Sequence, residues 1–346
     1  MKKKVGIIGH FGFDKECLDG QTIKTKIVSD ELIRLFGKDQ VALYDTHSGI
    51  FFLLKLPFVV SQIMIGSRNI IILPGMNGLV SISPLLVILN TLFKRKLHYV
   101  VIGGWLPKVV SKNKFIRTIL KRFDNIMVET QTMKDRMEAM SFGNVTVMSN
   151  FKRLNVAKPS ELNKFNPPYP LCTFSRVIKE KGIEDAIKAV KICNDKLGFT
   201  GYTLNIFGQI GNDYQQRFNE IIKKQPENIK YCGCIDYSDS TKVLKEYFAL
   251  LFPTYYKGEC FAGTIIDAFS AGLPVIASDW HDNSYIIKDK ETGFIFPTHS
   301  IKDLADILFN LYNNPSQIDN MRVHCLQMAA SYQPEIVIST LATKLI

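Results

Sequence analysis

Residues 258–279 read GECFAGTIIDAFSAGLPVIASD, preceded at 248–253 by FALLFP. A short apolar run ends in proline, TYYKGECFAG (254–263) turns, GTIIDAFSAG (263–272) has helical spacing, and LPVIAS is apolar and β-branched again. The order is strand, turn, helix, strand. Gly272 followed by Leu273 and Pro274 is the usual helix stop, glycine then proline. Units of this kind, repeated, build a parallel sheet with helices on its faces. Two carboxylates, Glu259 and Asp267, bracket the turn. The amides of Phe261, Ala262, Gly263 and Thr264 would face a cleft from the helix start. Carboxylates beside such amides suit the paired hydroxyls of a sugar. The plainer alternative is that Glu259 complements the helix dipole and Asp267 lies on the helix surface.

The same alternation extends in both directions. KVGIIG, RNIIILP, LHYVVIGG and NIMVET read as buried parallel strands. TIKTKIVSDELIRLFG and TQTMKDRMEAMSFG read as helices, the second capped by Thr130 or Thr132. Near Asn150 the pattern pauses in SNFKRLNVAKPSELNKFNPPYP, which is polar, proline-bearing and aperiodic. A second series then begins with PLCTFSRV, YTLNIFG, IKYCG, FALLFP and LPVIAS as strands. The expectation is an α/β chain of two doubly wound, Rossmann-like domains facing one another across a cleft, with ligands at the strand C-termini. Residues 1–155 form the first domain and 156–332 the second. PEIVISTLATKLI, about 333–346, is expected as one amphipathic helix packing back on the first.

A chain of 346 residues exceeds the roughly 250–300 at which single cores stop growing. Seven scattered cysteines with no metal-ligand spacing read as reduced thiols in a cytosolic-type compartment. MKKKVGIIGHFGFD is too short and too broken in its apolar part for a signal peptide and reads as the first strand. No stretch is expected to reach the roughly 18 uncharged apolar residues of a spanning helix. Charge is uneven: residues 1–160 hold 24 Lys/Arg against 11 Asp/Glu, a net +13, whereas the whole chain is +11. No acidic residue occurs between Thr46 and Phe123. Such a half attracts something anionic, or is simply a solvated basic surface. No nucleic-acid recognition module is visible and the aromatics are not arrayed for stacking, so nucleic acid is not an expected partner.

FSRVIKEKGIEDAI places Arg176 and Lys181 just past a strand and Gly182 at a helix start. Two cations, free helix amides and Gly182 for close approach could clamp a diphosphate, although a solvated loop explains the cations too. A dehydrogenase reading fails, because no helix opens at GIIGHFG.

Taken in order, Arg176, Lys181-Gly182, Gly208, Gly233, Pro253, Glu259-x7-Asp267, Gly272-Leu273-Pro274-Val275, Ser278-Asp279 and Thr292-Gly293 resemble the retaining glycosyltransferases of family 4, which have the GT-B fold. The resemblance covers nearly the whole second half. In the first half it rests on architecture and on the loop LDGQTIKT. It implies that Arg176 and Lys181 bind the diphosphate of a UDP- or GDP-sugar, and that Glu259 accepts from donor-sugar hydroxyls. Asp267, where the family commonly has a second Glu, would take the ribose. The amides of 261–264 would hold sugar and phosphate. Gly20 would let backbone approach the phosphates, and the base would lie near Gly208 and Ile235. The catalytic set is Glu259, Arg176 and Lys181. No Asp-x-Asp signature occurs, so neither metal nor cofactor is expected, and no protein nucleophile is identified.

This sequence also departs from the family. Gly103-Gly104-Trp105 stands where many members have a histidine, and Tyr285 where a glutamate is usual. His10, His47 and Gly104 are therefore the candidates near the acceptor. IFFLLKLPFVVSQIMIG, LLVILNTLFKRK and WLPKVVSKNKFIRTILKRF mix apolar residues with cations, as suits an interfacial helix on an anionic bilayer. They equally suit helices buried against the sheet. The leading expectation is a retaining transferase building cell-surface polysaccharide on a glycan acceptor carried by a polyprenyl diphosphate. It would be cytoplasmic and peripheral on the inner membrane face. The alternatives are a catalytically impaired GT-B nucleotide-binding or scaffold subunit, a nucleotide-sugar epimerase, and an inverting transferase.

Overall fold

The computed structural model describes residues 2–12, 20–46 and 50–346, with backbone only for 50–55. His47 lies outside the described residues, as does the Leu18-Asp19 start of the LDGQTIKT loop. The chain divides into two compact units, Met1–Arg153 with Pro334–Ile346, and Leu154–Gln333.

In the first unit β1 (Lys3–Gly9), β2 (Val41–Asp45), β3 (Ser67–Ile72), β4 (Lys96–Val100), β5 (Asn125–Val128) and β6 (Val145–Val147) form a parallel sheet in the order β2-β1-β3-β4-β5-β6. The crossovers carry α1 (Gly20–Phe36), α2 (Ile50–Gly66), α3 (Met76–Phe93), α4 (Leu106–Lys112), α5 (Lys114–Leu120) and α6 (Gln131–Glu138). Strand order reverses between β1 and β3, the switch point at which such sheets bind ligands.

The second unit repeats the scheme. It contains β7 (Tyr169–Phe174), α7 (Ile183–Leu197), β8 (Tyr202–Phe207), α8 (Gln215–Ile222), β9 (Ile229–Tyr231), α9 (Ser240–Leu244), β10 (Ala249–Phe252), α10 (Gly263–Ser270), β11 (Val275–Ser278), α11 (Asn283–Ile286), β12 (Gly293–Phe296), α12 (Ile301–Asn313) and α13 (Ser316–Ser331). Its order is β12-β11-β10-β7-β8-β9, so the switch point lies between β7 and β10. Val275, Ile276, Ala277 and Ser278 are fully buried, as an apolar strand covered on both faces requires.

Several expectations are corrected. The C-terminal segment is two short helices, α14 (Pro334–Val337) and α15 (Ser339–Ala342), rather than one. The Ser339 hydroxyl donates to the Ile336 carbonyl at 2.6 Å, a local bond that competes with helix continuation. Val337, Ile338 and Leu341 still pack with β1 and α1 residues in the first core. WLPKVVSKNKFIRTILKRF is likewise broken. Asn113 ends α4 and caps α5, its Oδ1 accepting from Ile116 N at 3.1 Å. The expectation that no stretch could span a membrane fails by length and composition. α3 has 18 uncharged residues with mean hydropathy 1.7, and only 22% of it is buried. Its Asn, Ser, Gly and Pro residues disguise this in the sequence. β6 and β12, both short edge strands, were also not anticipated.

The apolar segments of the first half are partly core. α2 buries Leu56, Val60, Ile63 and Met64 but exposes Phe58 and Ile65; α3 buries Leu79, Ile82 and Leu86 but exposes Val80, Ile88 and Leu92. Beneath the sheet, His98 is fully buried and joins three strands. Asn69 donates its amide to the Lys4 and Leu345 carbonyls at 3.0 and 3.1 Å. Its Oδ1 therefore accepts from His98 Nε2 at 3.2 Å, and His98 Nδ1 accepts from the Asn125 amide at 3.3 Å. That fixes a neutral tautomer, and burial lowers the imidazole pKa to about 4.

Candidate active site

The site is built at the β7/β10 switch point. After β7 the chain makes a short 3-10 turn, Lys179–Lys181, and enters α7 through Gly182, whose φ is 70°. A Cβ at Gly182 would stand 2.1 Å from the Pro253 carbonyl oxygen. Glycine is therefore demanded by the crossing of two loops, a reason independent of the phosphate approach suggested by the sequence. The crossing is stitched by Tyr255 N donating to the Glu180 carbonyl at 2.8 Å. Its consequence is chemical. Lys181 Nζ donates to Glu259 Oε2 at 2.5 Å, and the two side chains are only 9% and 8% exposed.

Glu259 has a second partner that sequence reasoning missed. The Thr254 hydroxyl donates to the same Oε2 at 2.9 Å and accepts from Tyr256 N at 3.2 Å. Tyr256 was missed as well. Its ring centroid lies 5.2 Å from the Arg176 guanidinium carbon and 5.3 Å from Lys181 Nζ. Both cations thus flank one aromatic face, a favourable electrostatic arrangement. Tyr256 is held in turn by Trp280 Nε1, which donates to its carbonyl at 2.8 Å. The only hint in the sequence is polar and aromatic Thr254-Tyr255-Tyr256 directly after an apolar strand.

α10 opens at Gly263 with Ala262 as its cap. Phe261 and Ala262 are buried, Gly263 and Thr264 half-buried, and the Thr264 hydroxyl donates to the Phe174 carbonyl at the end of β7 at 2.8 Å. Asp267 is not a surface residue. It is 1% exposed, and Ser240 donates to its Oδ1 at 3.1 Å. Gly208, with φ 133°, would place a Cβ 1.8 Å from the Ser175 carbonyl oxygen, so it too is required by the fold. Ile235 packs on the core that also holds Phe207, Phe261 and Ala262. The structure therefore gathers Arg176, Lys181, Glu259 and the start of α10, with Asp267 one turn further in. Gly208 and Ile235 border the same half of the unit.

In the first unit, Gly20 is the first residue of α1, and a Cβ there would meet no protein atom within 4 Å. His10 follows β1 and lines a cavity of about 450 Å³ with Gln21, Thr46, Gly75 and Asn77, at the β1/β3 switch point. Gly104 lies in the turn before α4. Its neighbour Gly103 donates N–H to Glu129 Oε1 at 3.2 Å, and Lys24 Nζ donates to the same oxygen at 2.7 Å. This buried pair, also missed in the sequence, fixes the turn where a histidine was absent. A Glu ending the apolar strand NIMVET was its one signal. Among the described residues no group of three His, Cys, Asp or Glu is arranged to hold a metal ion.

The family model described as glycosyl transferases group 1 matches residues 157–329, which contain the Arg176, Lys181 and Glu259 cluster. The chain is 24% identical over 231 residues to the D-rhamnosyltransferase WbpZ of Pseudomonas aeruginosa, covering 62% of this chain and 60% of that protein. It is 29% identical over 174 residues to the GtfA subunit of a UDP-N-acetylglucosamine–peptide N-acetylglucosaminyltransferase of Streptococcus pneumoniae, covering 48% of this chain and 33% of that one. The chain thus spans less than two thirds of the length of each of these curated relatives, 60% of one and 33% of the other. In three dimensions it is similar to Anabaena Alr3699/HepE solved with UDP, at TM-score 0.75 and 15% identity over 100% of this chain and 99% of that one.

Proposed function

We propose, starting from the fact that the chain belongs to the glycosyl transferases group 1, that it moves a sugar from a nucleoside-diphosphate sugar to a glycan acceptor with retention at the anomeric carbon. Its two parallel six-stranded sheets are those of the GT-B fold. The observation that carries the proposal is the buried contact between Lys181 and Glu259 at the switch point, with Arg176 beside it over Tyr256. In transfer, the bond between the anomeric carbon and the diphosphate oxygen breaks. The acceptor hydroxyl oxygen bonds to that carbon on the same face, and its proton passes to the departing phosphate oxygen. Negative charge grows on the leaving group, where Lys181, Arg176 and the α10 amides would meet it. Glu259 would hold the sugar hydroxyls and Asp267 the ribose. The Lys181 and Glu259 charges are fixed in the fold, which supports a reaction without a divalent metal.

UDP is the first nucleotide to test, because the streptococcal relative is named for a UDP-sugar. We extend the proposal to a lipid-linked acceptor at the anionic cytoplasmic face of a bilayer, on the basic, partly apolar surface of the first unit. The test is a thermal-shift screen with UDP, GDP and their sugars, followed by donor turnover in chelator. Stabilisation by a nucleoside diphosphate and metal-free turnover are expected. No shift with any nucleotide, or complete loss of turnover in chelator, contradicts the site.

A further inference from the structure

At the end of the first sheet where β1, β3 and β4 begin, opposite its ligand end, six cations surround one open cavity of about 580 Å³: Lys2, Lys4, Arg68, Lys94, Arg95 and Lys96. No Asp or Glu side chain lines it. Among the described residues no ion pair joins any of the six to a carboxylate. The charge gap between Thr46 and Phe123 is thus gathered in space by strand register. Lys3 pairs with Ser67, and Asn69 with Lys96, so the starts of β1, β3 and β4 lie side by side, roughly 5 Å apart per strand. Lys94 adopts a left-handed φ of 51°, a strained choice for a lysine. Arg95 N donates to Asn90 Oδ1 at 2.6 Å, closing a turn that presents three cations in succession. Two members are held in place: Arg95 Nε donates to the Met64 carbonyl at 2.8 Å, and Lys4 Nζ sits 3.9 Å over the Phe36 ring. Like charges crowded this way repel one another, and an anion relieves them.

The surroundings indicate which anion. Leu92 is 78% exposed and Ile88 63%, one helical turn apart on α3, while Ile65 at the end of α2 is 59% exposed. The Arg95 bond to Met64 sets Ile65 beside the cationic turn. A soluble phosphate would use the cations and leave these side chains in water. A bilayer uses both, with phosphate in the pocket and apolar side chains at the headgroup boundary. We propose that this pocket seats the phosphate headgroups of an anionic lipid bilayer, with Ile65, Ile88 and Leu92 entering beside them. The inference rests on the membrane part of the proposed function, not on the transfer reaction.

The test is co-sedimentation of the full chain with phosphatidylcholine vesicles, with and without phosphatidylglycerol. Wild type should sediment only with the anionic vesicles. The triple variant Arg68→Gln, Lys94→Asn, Lys96→Gln should lose binding by on the order of a hundredfold, as three surface cations imply. Lys223→Gln, Lys224→Gln, Lys230→Gln removes equal charge from exposed sites of the second unit and should change binding by less than about threefold. Ile88→Ser with Leu92→Ser should weaken it about tenfold. Equal losses in the two triple variants would reduce the effect to net charge and overturn the pocket. Full binding by the first triple variant would do the same. Displacement by inorganic phosphate, with no effect of the Ile88 and Leu92 changes, would replace the bilayer with a soluble anion. So would equal competition by a single-stranded oligonucleotide, with nucleic acid as the ligand. In a Trp280→Phe background, Trp105 emission kept at its wild-type value in every variant reports that the first unit folds, and a UDP-induced thermal shift reports the second. Its absence in wild type would refute the donor site while leaving the vesicle result standing.

Discussion

Replacing Lys181 by Ala strands a carboxylate. Glu259 is 8% exposed, and breaking one side of a buried pair costs about 3–5 kcal/mol. Thr254 still donates to Glu259 and offsets about 1 kcal/mol, leaving a loss of about 3 kcal/mol. In a unit spanning Leu154–Gln333, each kcal/mol lowers Tm by about 2–4 °C, so a fall of about 10 °C is expected. The assay needs a probe confined to that unit. The chain has two tryptophans, and Trp280 donates to the Tyr256 carbonyl beside the site. In a Trp105→Phe background its fluorescence follows the second unit alone. The paired replacement Lys181→Met with Glu259→Gln removes both charges at similar volume and should recover most of the loss. Donor turnover should fall roughly 100-fold or more in either variant, since both remove charge matched to the transition state. A Lys181→Ala Tm within about 2 °C of wild type, or a double variant no more stable than the single, would refute a buried pair.

Three further outcomes are expected. Gly182→Ala should destabilise the second unit by about 2–4 kcal/mol in urea unfolding, because a left-handed φ and the Pro253 carbonyl both oppose a Cβ. Thr254→Val should cost about 1–2 kcal/mol in the same measurement, as it removes a donor to Glu259 and an acceptor for Tyr256 N. His98 should make the first unit acid-sensitive. Its folded pKa is lowered from 6.5 to about 4 by burial, with Asp124 opposing and Lys96 reinforcing, so the unfolded chain binds the proton first. Stability is full above pH 6.5 and declines as pH falls towards 4, by at most about 3 kcal/mol. Unfolding of His98→Gln across that window should show a flatter pH dependence.

Local patterns were readable in the sequence; long-range meetings were not. The helix from Gly263 and its stop at Gly272 follow from spacing and backbone preference, which act over a few residues. Thr130 as a cap is equally local, its hydroxyl accepting from Met133 N at 3.2 Å. The meeting of Lys181 with Glu259 depends on the crossing at Gly182 and Pro253, which no periodicity encodes. Asp267 looks like a surface helix residue because Ser240, which holds it, lies on α9. Gly182 was assigned to phosphate approach because a glycine before a helix looks the same whether a ligand or a carbonyl crowds it. The basic stretch was visible as composition, but only parallel register turns it into a pocket at the strand-start end of the sheet.

The two cations of the site differ in kind, and this decides what each can do. Lys181 is buried and its ammonium has three donors, one of which Glu259 accounts for. On the proposed function a diphosphate would use the others without breaking the pair, so Glu259 stays aimed while donor binds. Arg176 is exposed and its guanidinium lies over the Tyr256 ring, so on the proposed function it would be able to follow the leaving group. On the proposed function Lys181 is thus part of the fold as well as of the chemistry, whereas Arg176 would serve the chemistry alone. Substituting Lys181 should lower stability and turnover together, and substituting Arg176 should lower turnover at unchanged Tm.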